Sequence, residues 1–163
     1  MTKTRSHNLL IRPYCDEDFS EVALLEADRL HEPYRSSVFV RQMAVLCPAT
    51  FLVAKTEDIV VGFTVGTIVQ DDPTRGWILR MMVLDGFRHQ GIGTALLRAV
   101  TGALNVRSVQ TIFLTVAPGN IPAIQLYQHE GFVQESFQPA YFGGGEDRLV
   151  MKKIHEPCTI SGC

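Results

Sequence analysis

Residues 85–100 read DGFRHQGIGTALLRAV and join an apolar segment to the clearest helical repeat in the chain. After the glycines, apolar residues recur at helical spacing, which predicts an amphipathic helix. The repeating residues are Ile92, Ala95, Leu96, Ala99, Val100, Ala103 and Leu104. The preceding segment, GWILRMMVL (76–84), has the apolar character of a strand that is buried on both faces. The sequence therefore predicts a strand, a glycine turn and a helix in direct succession.

The segments upstream of this unit predict a strand, two helices and a hairpin. LLIRPY (9–14) has the composition of a strand, and Asp16 is a suitable N-cap for the helix that follows. A second helix is expected after Ser36 or Ser37, with Phe39, Met43 and Leu46 on its apolar side. Two further strands are joined by the polar turn at 56–58, which indicates a hairpin.

Downstream of the amphipathic helix, the chain alternates between strand and helix before two closing strands. TIFLTVA (111–117) predicts a strand, Asn120 caps the next helix, and Gly131 ends it. The order β-α-α-β-β-β-α-β-α-β-β predicts an α/β (α+β) fold with a mixed sheet and helices packed on it. We expect a single domain over residues 9–154, with loose termini at 1–8 and 155–163.

Composition limits the classes of partner. The 163 residues are 46% hydrophobic and 20% charged, with a net charge of −2, so no global basic field favours nucleic acid or a membrane surface. The N-terminal segment has too short an apolar stretch for a signal peptide, which predicts a cytoplasmic protein. The cysteines are scattered without a C-x-x-C pair, and we expect no metal site. They are Cys15, Cys47, Cys158 and Cys163.

The glycine turn has the chemistry of an anion site. The first turn of a helix presents backbone N–H groups without intrahelical partners at its positive end. Gly91 and Gly93 leave the backbone accessible, and Arg88 and His89 add positive charge, which suits a pyrophosphate. No lysine follows the glycines as in a P-loop, and Leu96 occupies the third glycine position of the dinucleotide fingerprint. The alternative is a structural turn that needs only small residues.

Two motifs together resemble the GNAT superfamily of acyl-CoA-dependent N-acetyltransferases. RHQGIG (88–93) matches the family pattern [Q/R]-x-x-G-x-[G/A], and LTVAPGNIPAIQLYQHEGF (114–132) is similar to the family's following strand and helix. The nearest subgroup comprises ribosomal-protein alanine and other protein N-terminal acetyltransferases, which EPYRSS and YFGGGEDRLVM also resemble. The second motif matches at Asn120, Ala123, Leu126, Tyr127, Gly131 and Phe132.

This resemblance implies acetyl-CoA as co-substrate and a fold in which the fourth and fifth strands splay apart. It implies that the backbone of Met81, Met82 and Val83 binds the pantetheine arm. Asn120 and Ala123 would lie near the thiol end, and Tyr127 would protonate the departing thiolate as general acid. The turn would bind the pyrophosphate through Arg88, His89, Gln90, Gly91, Ile92, Gly93 and Thr94. Asn120 as a simple cap and Tyr127 as a core residue remain alternatives.

The general base is left open, because Thr115 stands where the subgroup has a glutamate. A threonine cannot take a proton at neutral pH, so either a water chain or another carboxylate, such as Glu32 or Glu146, would have to act. An α-amino group, with a pKa of about 8, needs less help than a lysine at about 10.4. This favours an α-amine or another weakly basic amine as the acceptor.

The resemblance implies an acetyl-CoA-dependent N-acetyltransferase that acts on a protein or peptide N-terminus by direct attack in a ternary complex. The alternatives are a small-molecule amine acceptor and a CoA-binding module without turnover. We expect a monomer or homodimer. Candidate acceptor-site residues are Tyr34, Arg80, Thr115 and Tyr141, each of which could instead serve packing or ion pairing.

Overall fold

The computed structural model describes residues 8–30 and 33–155, and within them the elements follow the predicted order. The strands form a mixed sheet in the order β1-β2-β3-β4-β5-β7-β6. The predicted α/β class with a mixed sheet is therefore confirmed. The elements are β1 (Leu9–Pro13), α1 (Phe19–Leu30), α2 (Pro33–Leu46), β2 (Phe51–Thr56), β3 (Ile59–Val69), β4 (Asp72–Val83), α3 (Ile92–Asn105), β5 (Thr111–Val116), α4 (Ile121–His129), β6 (Val133–Gln138) and β7 (Arg148–Ile154).

The chain forms two compact units. The first unit contains the chain up to Val65 together with Arg80–Val100, and the second contains Gly66–Leu79 and the chain from Thr101 onward. The prediction of loose termini falls mainly on residues outside the described ranges, as do Glu32, Cys158 and Cys163. No helix within 8–30 and 33–155 is long and apolar enough to cross a membrane.

In the first unit, α1 and α2 pack on the antiparallel strands β1, β2 and β3. Helix α1 contributes Val22, Ala23 and Leu25 to this core, and Val22 is fully buried. The apolar side predicted for α2 is confirmed at Phe39 and Met43, which pack against this core, but it is wrong at Leu46, which is exposed. Val40 is buried in addition, and the helix begins at Pro33, before Ser36. Several consecutive apolar residues in α2 allow more than one helical face, and packing selects among them.

The start of α1 also differs from the prediction, because Asp18 replaces Asp16 as the capping side chain. Asp18 accepts a hydrogen bond of 3.0 Å from the Cys15 backbone N–H and two more from Arg12, at 2.7 and 2.8 Å. Asp16 instead lies at the surface beside Arg41. Burial alone would raise the pKa of Asp18, but the hydrogen bonds from Arg12 and Cys15 together hold it below its usual value.

In the second unit, the start of β4 pairs in parallel with β5, and β5 pairs with β7, which pairs with β6. The parallel pairing ends at Ile78 and Leu114, although β5 continues through Val116 beside β7. α4 ends as predicted, since Gly131 has a φ of 90° and can terminate the helix in a left-handed conformation.

Candidate functional site

The glycine turn of the first unit has a defined backbone. It leaves β4 through a hydrogen bond of 2.8 Å from Leu84 N–H to Val61 O. His89 and Gly91 then take positive φ values of 60° and 81°. A Cβ at Gly91 would meet nothing within 4 Å, so the glycine is required by conformation, and the space beside it is open.

Helix α3 starts directly after this turn with its first N–H groups available. The bond from Ala95 N–H to Gly91 O, at 3.0 Å, closes the first helical turn. The N–H groups of Ile92, Gly93 and Thr94 precede it, where helix geometry provides no carbonyl partner. They lie at the positive end of the helix dipole. Backbone donors, open space and this polarity fit a pyrophosphate group.

An apolar cluster fixes the helix start to the strands of the first unit. Ile92 and Leu96 are buried with Ala54 and Val61, and further apolar side chains pack around them. Those further side chains are Leu9, Ile11, Met81, Val83 and Phe87. Met82, which alternates with Met81 and Val83, packs instead with the core formed by α1 and α2. The N–H groups of the turn are therefore held in place by packing.

The side chains of the turn brace the loop itself. Arg88 donates a hydrogen bond of 3.2 Å from Nε to Val83 O, and its Nη2 lies 2.7 Å from Asp85 Oδ1. Gln90 Nε2 donates to Gly86 O at 3.2 Å, and His89 is exposed. The groups available to an anion are therefore mainly backbone N–H donors, because the Arg88 guanidinium already bonds to Val83 O and Asp85.

Arg80 forms a structural ion pair on the α1–α2 side of the first unit. Its Nη2 lies 2.9 Å from Oε1 of Glu26, whose side chain is 1% exposed. The guanidinium lies over the ring of Phe39 at 5.3 Å, and Thr64 Oγ1 donates to the Arg80 carbonyl at 3.0 Å. Of the two predicted roles for Arg80, the structure displays the pairing role. The sequence alone did not identify Glu26.

In the second unit, Asn120 caps helix α4, and Tyr127 lies within the helix. Asn120 Oδ1 accepts a hydrogen bond of 3.3 Å from Ala123 N–H, which is the predicted cap. Tyr127 is 9% exposed, and its ring centroid lies 6.0 Å from that of Phe132. Both residues thus have the structural role that was the alternative to a catalytic one, and neither geometry conflicts with a role in acetyl transfer.

Thr115 lies on an aromatic face of β5 in the second unit. It is half-buried opposite Val150 of β7, and it shares a strand face with Phe113. The rings of Phe113 and Trp77 stack at 5.2 Å, and the Arg75 guanidinium lies 4.7 Å above the Phe113 ring. This stack was missed from the sequence, because only the β4–β5 register reveals it.

The two predicted acceptor tyrosines are both exposed. Tyr34, near the start of α2, is 81% exposed. Tyr141, in the loop between β6 and β7, is 44% exposed and contacts Phe142 edge to face, with the ring centroids 4.8 Å apart. In the same loop, Glu146 Oε2 lies 2.7 Å from Arg148 Nη2. Glu146 therefore serves an ion pair, and Glu32 lies outside the described residues.

The candidate residues thus fall into two groups, each coherent within its unit. The turn, Met81–Val83 and Arg80 belong to the first unit, as does Tyr34. Thr115, Asn120, Ala123, Tyr127 and Tyr141 belong to the second unit. Within residues 8–30 and 33–155, no group of three or more His, Cys, Asp or Glu side chains is placed to hold a metal ion.

Comparison with known proteins identifies one family. The sequence profile of the Acetyltransferase (GNAT) family matches residues 13–132. An uncharacterised N-acetyltransferase of Methanocaldococcus jannaschii is 30% identical over 146 residues, covering 89% of this chain and 91% of the relative. An N-alpha-acetyltransferase of Sulfurisphaera tokodaii is 31% identical, covering 82% and 86%. The crystal structure of Ard1 from Thermoplasma volcanium matches with a TM-score of 0.82 at 27% identity, covering 91% of this chain and 99% of that one.

Proposed function

The chain belongs to the GNAT family of N-acetyltransferases, and we propose that its acceptor is the α-amino group at the N-terminus of a protein or peptide. The relative from Sulfurisphaera tokodaii is named an N-alpha-acetyltransferase and spans most of this chain, which supports this acceptor class. The single structural observation that supports the acetyl-CoA donor is the turn before α3, where Gly91 has a positive φ and the first helical hydrogen bond is made by Ala95 N–H, because backbone N–H groups at such a helix start suit a pyrophosphate.

GNAT acetyltransferases use acetyl-CoA, which supplies the activated acetyl thioester. The N–H groups of Ile92, Gly93 and Thr94 are the donors that would bind its pyrophosphate. Backbone groups of Met81–Val83 would hold the pantetheine arm, as the family resemblance implies. Arg88 would contribute mainly by fixing the loop through Val83 O and Asp85.

The chemical step requires a proton for the leaving thiol. Tyr127 would donate its phenolic proton to the sulfur, and Asn120 would lie near the same end. A thiol has an ordinary pKa of about 8.5, so a well-placed phenol is a sufficient acid to protonate the departing thiolate. The buried position of Tyr127 on α4 keeps its ring in one place, which a positioned proton donor requires.

The acceptor amine must be neutral before it attacks. Thr115 itself carries no carboxylate, and its cross-strand partner on β7 is the apolar Val150. A site of this kind favours an amine that loses its proton readily, and an α-amino group has a pKa of about 8. A water chain held by Thr115 and backbone carbonyls would carry the proton away.

The test is acetyl-CoA-dependent release of free thiol with two acceptor panels. One panel contains short peptides with free Ala, Ser, Met or Thr N-termini, and the other contains polyamines, amino acids and aminoglycosides. We expect turnover of peptides and a loss of turnover when their N-terminus is blocked. Turnover of small amines alone would overturn the proposed acceptor and leave the family assignment in place.

A further inference from the structure

The loop between β6 and β7 presents two exposed aromatic side chains on a glycine-rich turn. Tyr141 and Phe142 are 44% and 62% exposed, and three glycines follow them directly. A chain with consecutive glycines has a large conformational entropy, so such a loop would not hold two aromatic rings at fixed positions unaided. Some other contact must define where these rings lie.

Arg148, the first residue of β7, makes that contact. Its Nη2 lies 2.7 Å from Glu146 Oε2, and its Nη1 donates to Asp147 O at 2.7 Å. The guanidinium carbon lies 4.9 Å from the centre of the Phe142 ring. The Arg148 side chain is 13% exposed, whereas its ion-pair partner Glu146 and the Phe142 ring are both largely exposed.

The return segment of the loop completes the same framework. Asp147 Oδ1 accepts a hydrogen bond of 2.8 Å from Ala140 N–H, so the two sides of the loop are tied together. Phe142 N–H also donates to Glu146 O at 3.4 Å. Arg148 therefore contacts the aromatic tip, through Phe142, and the acidic return, through Glu146 and Asp147.

We propose that Arg148 is a positioning residue that holds the Tyr141–Phe142 loop in the conformation that receives the acceptor. This inference rests on the proposed function and on the sequence-based expectation that Tyr141 belongs to the acceptor site. A planar guanidinium can stack on a ring while its fork donates to oxygen atoms, which a lysine cannot do. Preorganisation of a binding loop lowers the entropy lost on binding, so Arg148 acts on acceptor affinity.

The test measures steady-state kinetics of peptide acetylation by full-length Arg148→Lys, Glu146→Gln and Phe142→Leu. For Arg148→Lys we expect the acceptor KM to rise about tenfold, with kcat and the acetyl-CoA Kd within about twofold of the wild type. Glu146→Gln should raise KM by a smaller factor. The double variant with Arg148→Lys and Phe142→Leu should raise KM by less than the product of the two single effects, since the two residues share one of the contacts that Arg148 makes.

The matched control is Glu135→Gln. It removes the ion pair of 2.6 Å between Glu135 of β6 and Lys152 of β7, in the same hairpin but away from the loop. The inference is overturned if Arg148→Lys leaves KM unchanged, or if Glu135→Gln raises KM as much. A fall in kcat with unchanged KM for Glu146→Gln would also overturn it, since Glu146 would then act as a base.

Thermal unfolding of each variant separates a folding defect from a kinetic one. If Arg148→Lys lowers Tm strongly, Glu146→Gln provides the test, because its side chain is 55% exposed. Failure of the proposed function would appear in the wild-type protein as an absence of peptide acetylation. Failure of the Arg148 inference would appear only in the variants.

Discussion

The glycine turn of the first unit and the aromatic loop of the second unit are built by opposite means. In the turn, packing of Ile92 and Leu96 fixes the backbone, and the groups offered to a ligand are N–H donors. In the loop, the backbone is rich in glycine, and the side chain of Arg148 contacts both the Phe142 ring and Glu146. Under the proposed function, the backbone donors of the turn suit acetyl-CoA, which is the same in every reaction. The side chains of the loop suit an acceptor peptide, whose sequence varies.

This difference predicts which substitutions affect which kinetic constant. Changes to the backbone of the turn should alter donor binding, whereas side-chain changes in the second unit should alter turnover or acceptor binding. The donor and acceptor constants can be measured separately, so each substitution either supports this division or contradicts it.

Tyr127→Phe should have the largest effect. Removal of one hydroxyl eliminates the proposed proton donor and keeps the buried ring beside Phe132. We expect kcat to fall by about 100-fold to 1,000-fold, in the lower part of the range that general acid catalysis usually contributes. The acetyl-CoA Kd, measured by calorimetry, should stay within about twofold. Retention of full turnover would show that Tyr127 is only a core residue.

Gly91→Glu should have the next largest effect, and on the donor constant. A side chain at a φ of 81° is strained, and its carboxylate would repel the pyrophosphate. We expect the acetyl-CoA Kd to rise on the order of 100-fold. Gly86→Ala is the matched control, because a Cβ there also meets nothing within 4 Å and its φ lies outside the left-handed region. Intact binding in Gly91→Glu would show that the phosphates bind elsewhere.

Asp18→Asn tests how far the Arg12–Asp18 ion pair stabilises the first unit, through the pH dependence of the unfolding free energy. The folded protein holds the pKa of Asp18 below its usual value, so the carboxylate stabilises the fold above the unfolded pKa, near 3.9, and this contribution is lost as pH falls towards the folded pKa. The variant should lose about 1–3 kcal/mol of unfolding free energy at pH 7, because Arg12 loses its charged partner.

Urea unfolding at pH 7 and at pH 3 measures this effect. The difference between the wild type and Asp18→Asn should be largest at pH 7 and should shrink at pH 3. A constant difference at both pH values would show that the hydrogen bonds, and not the charge, account for the stabilisation. Asp16→Asn is the control, since Asp16 is 80% exposed beside Arg41 and should change stability little.

The glycine turn could be predicted from sequence because its determinants are local. Helical spacing after Gly93 located α3, and the polar turn at 56–58 located the β2–β3 hairpin. A helix start and its free N–H groups follow directly from the boundary at Ile92. The family resemblance then favoured pyrophosphate binding for this turn, whereas the glycine spacing alone did not distinguish an anion site from a structural turn.

Tertiary partners could not be predicted in this way. Glu26 pairs with Arg80, and Phe113 stacks with Trp77, only because the fold brings distant segments together. Several acidic residues near the start of α1 could have capped it, and the nearby Arg12 is the partner that favours Asp18. No sequence pattern indicated a role for Arg148, because that role depends on contacts that form only in the folded loop.

Arg88→Ala should have the smallest effect and tests the comparison most directly. The guanidinium already donates to Val83 O and pairs with Asp85, so an anion in the turn would depend on it little. We expect the acetyl-CoA Kd to rise by about threefold, and by less at high salt, since a partly exposed charge acts mainly through a screened field. Gln90→Ala, which removes an uncharged brace to Gly86, is the matched control. If Arg88→Ala weakened binding as much as Gly91→Glu, the turn would be a side-chain site like the aromatic loop, and the distinction between the two regions would fail.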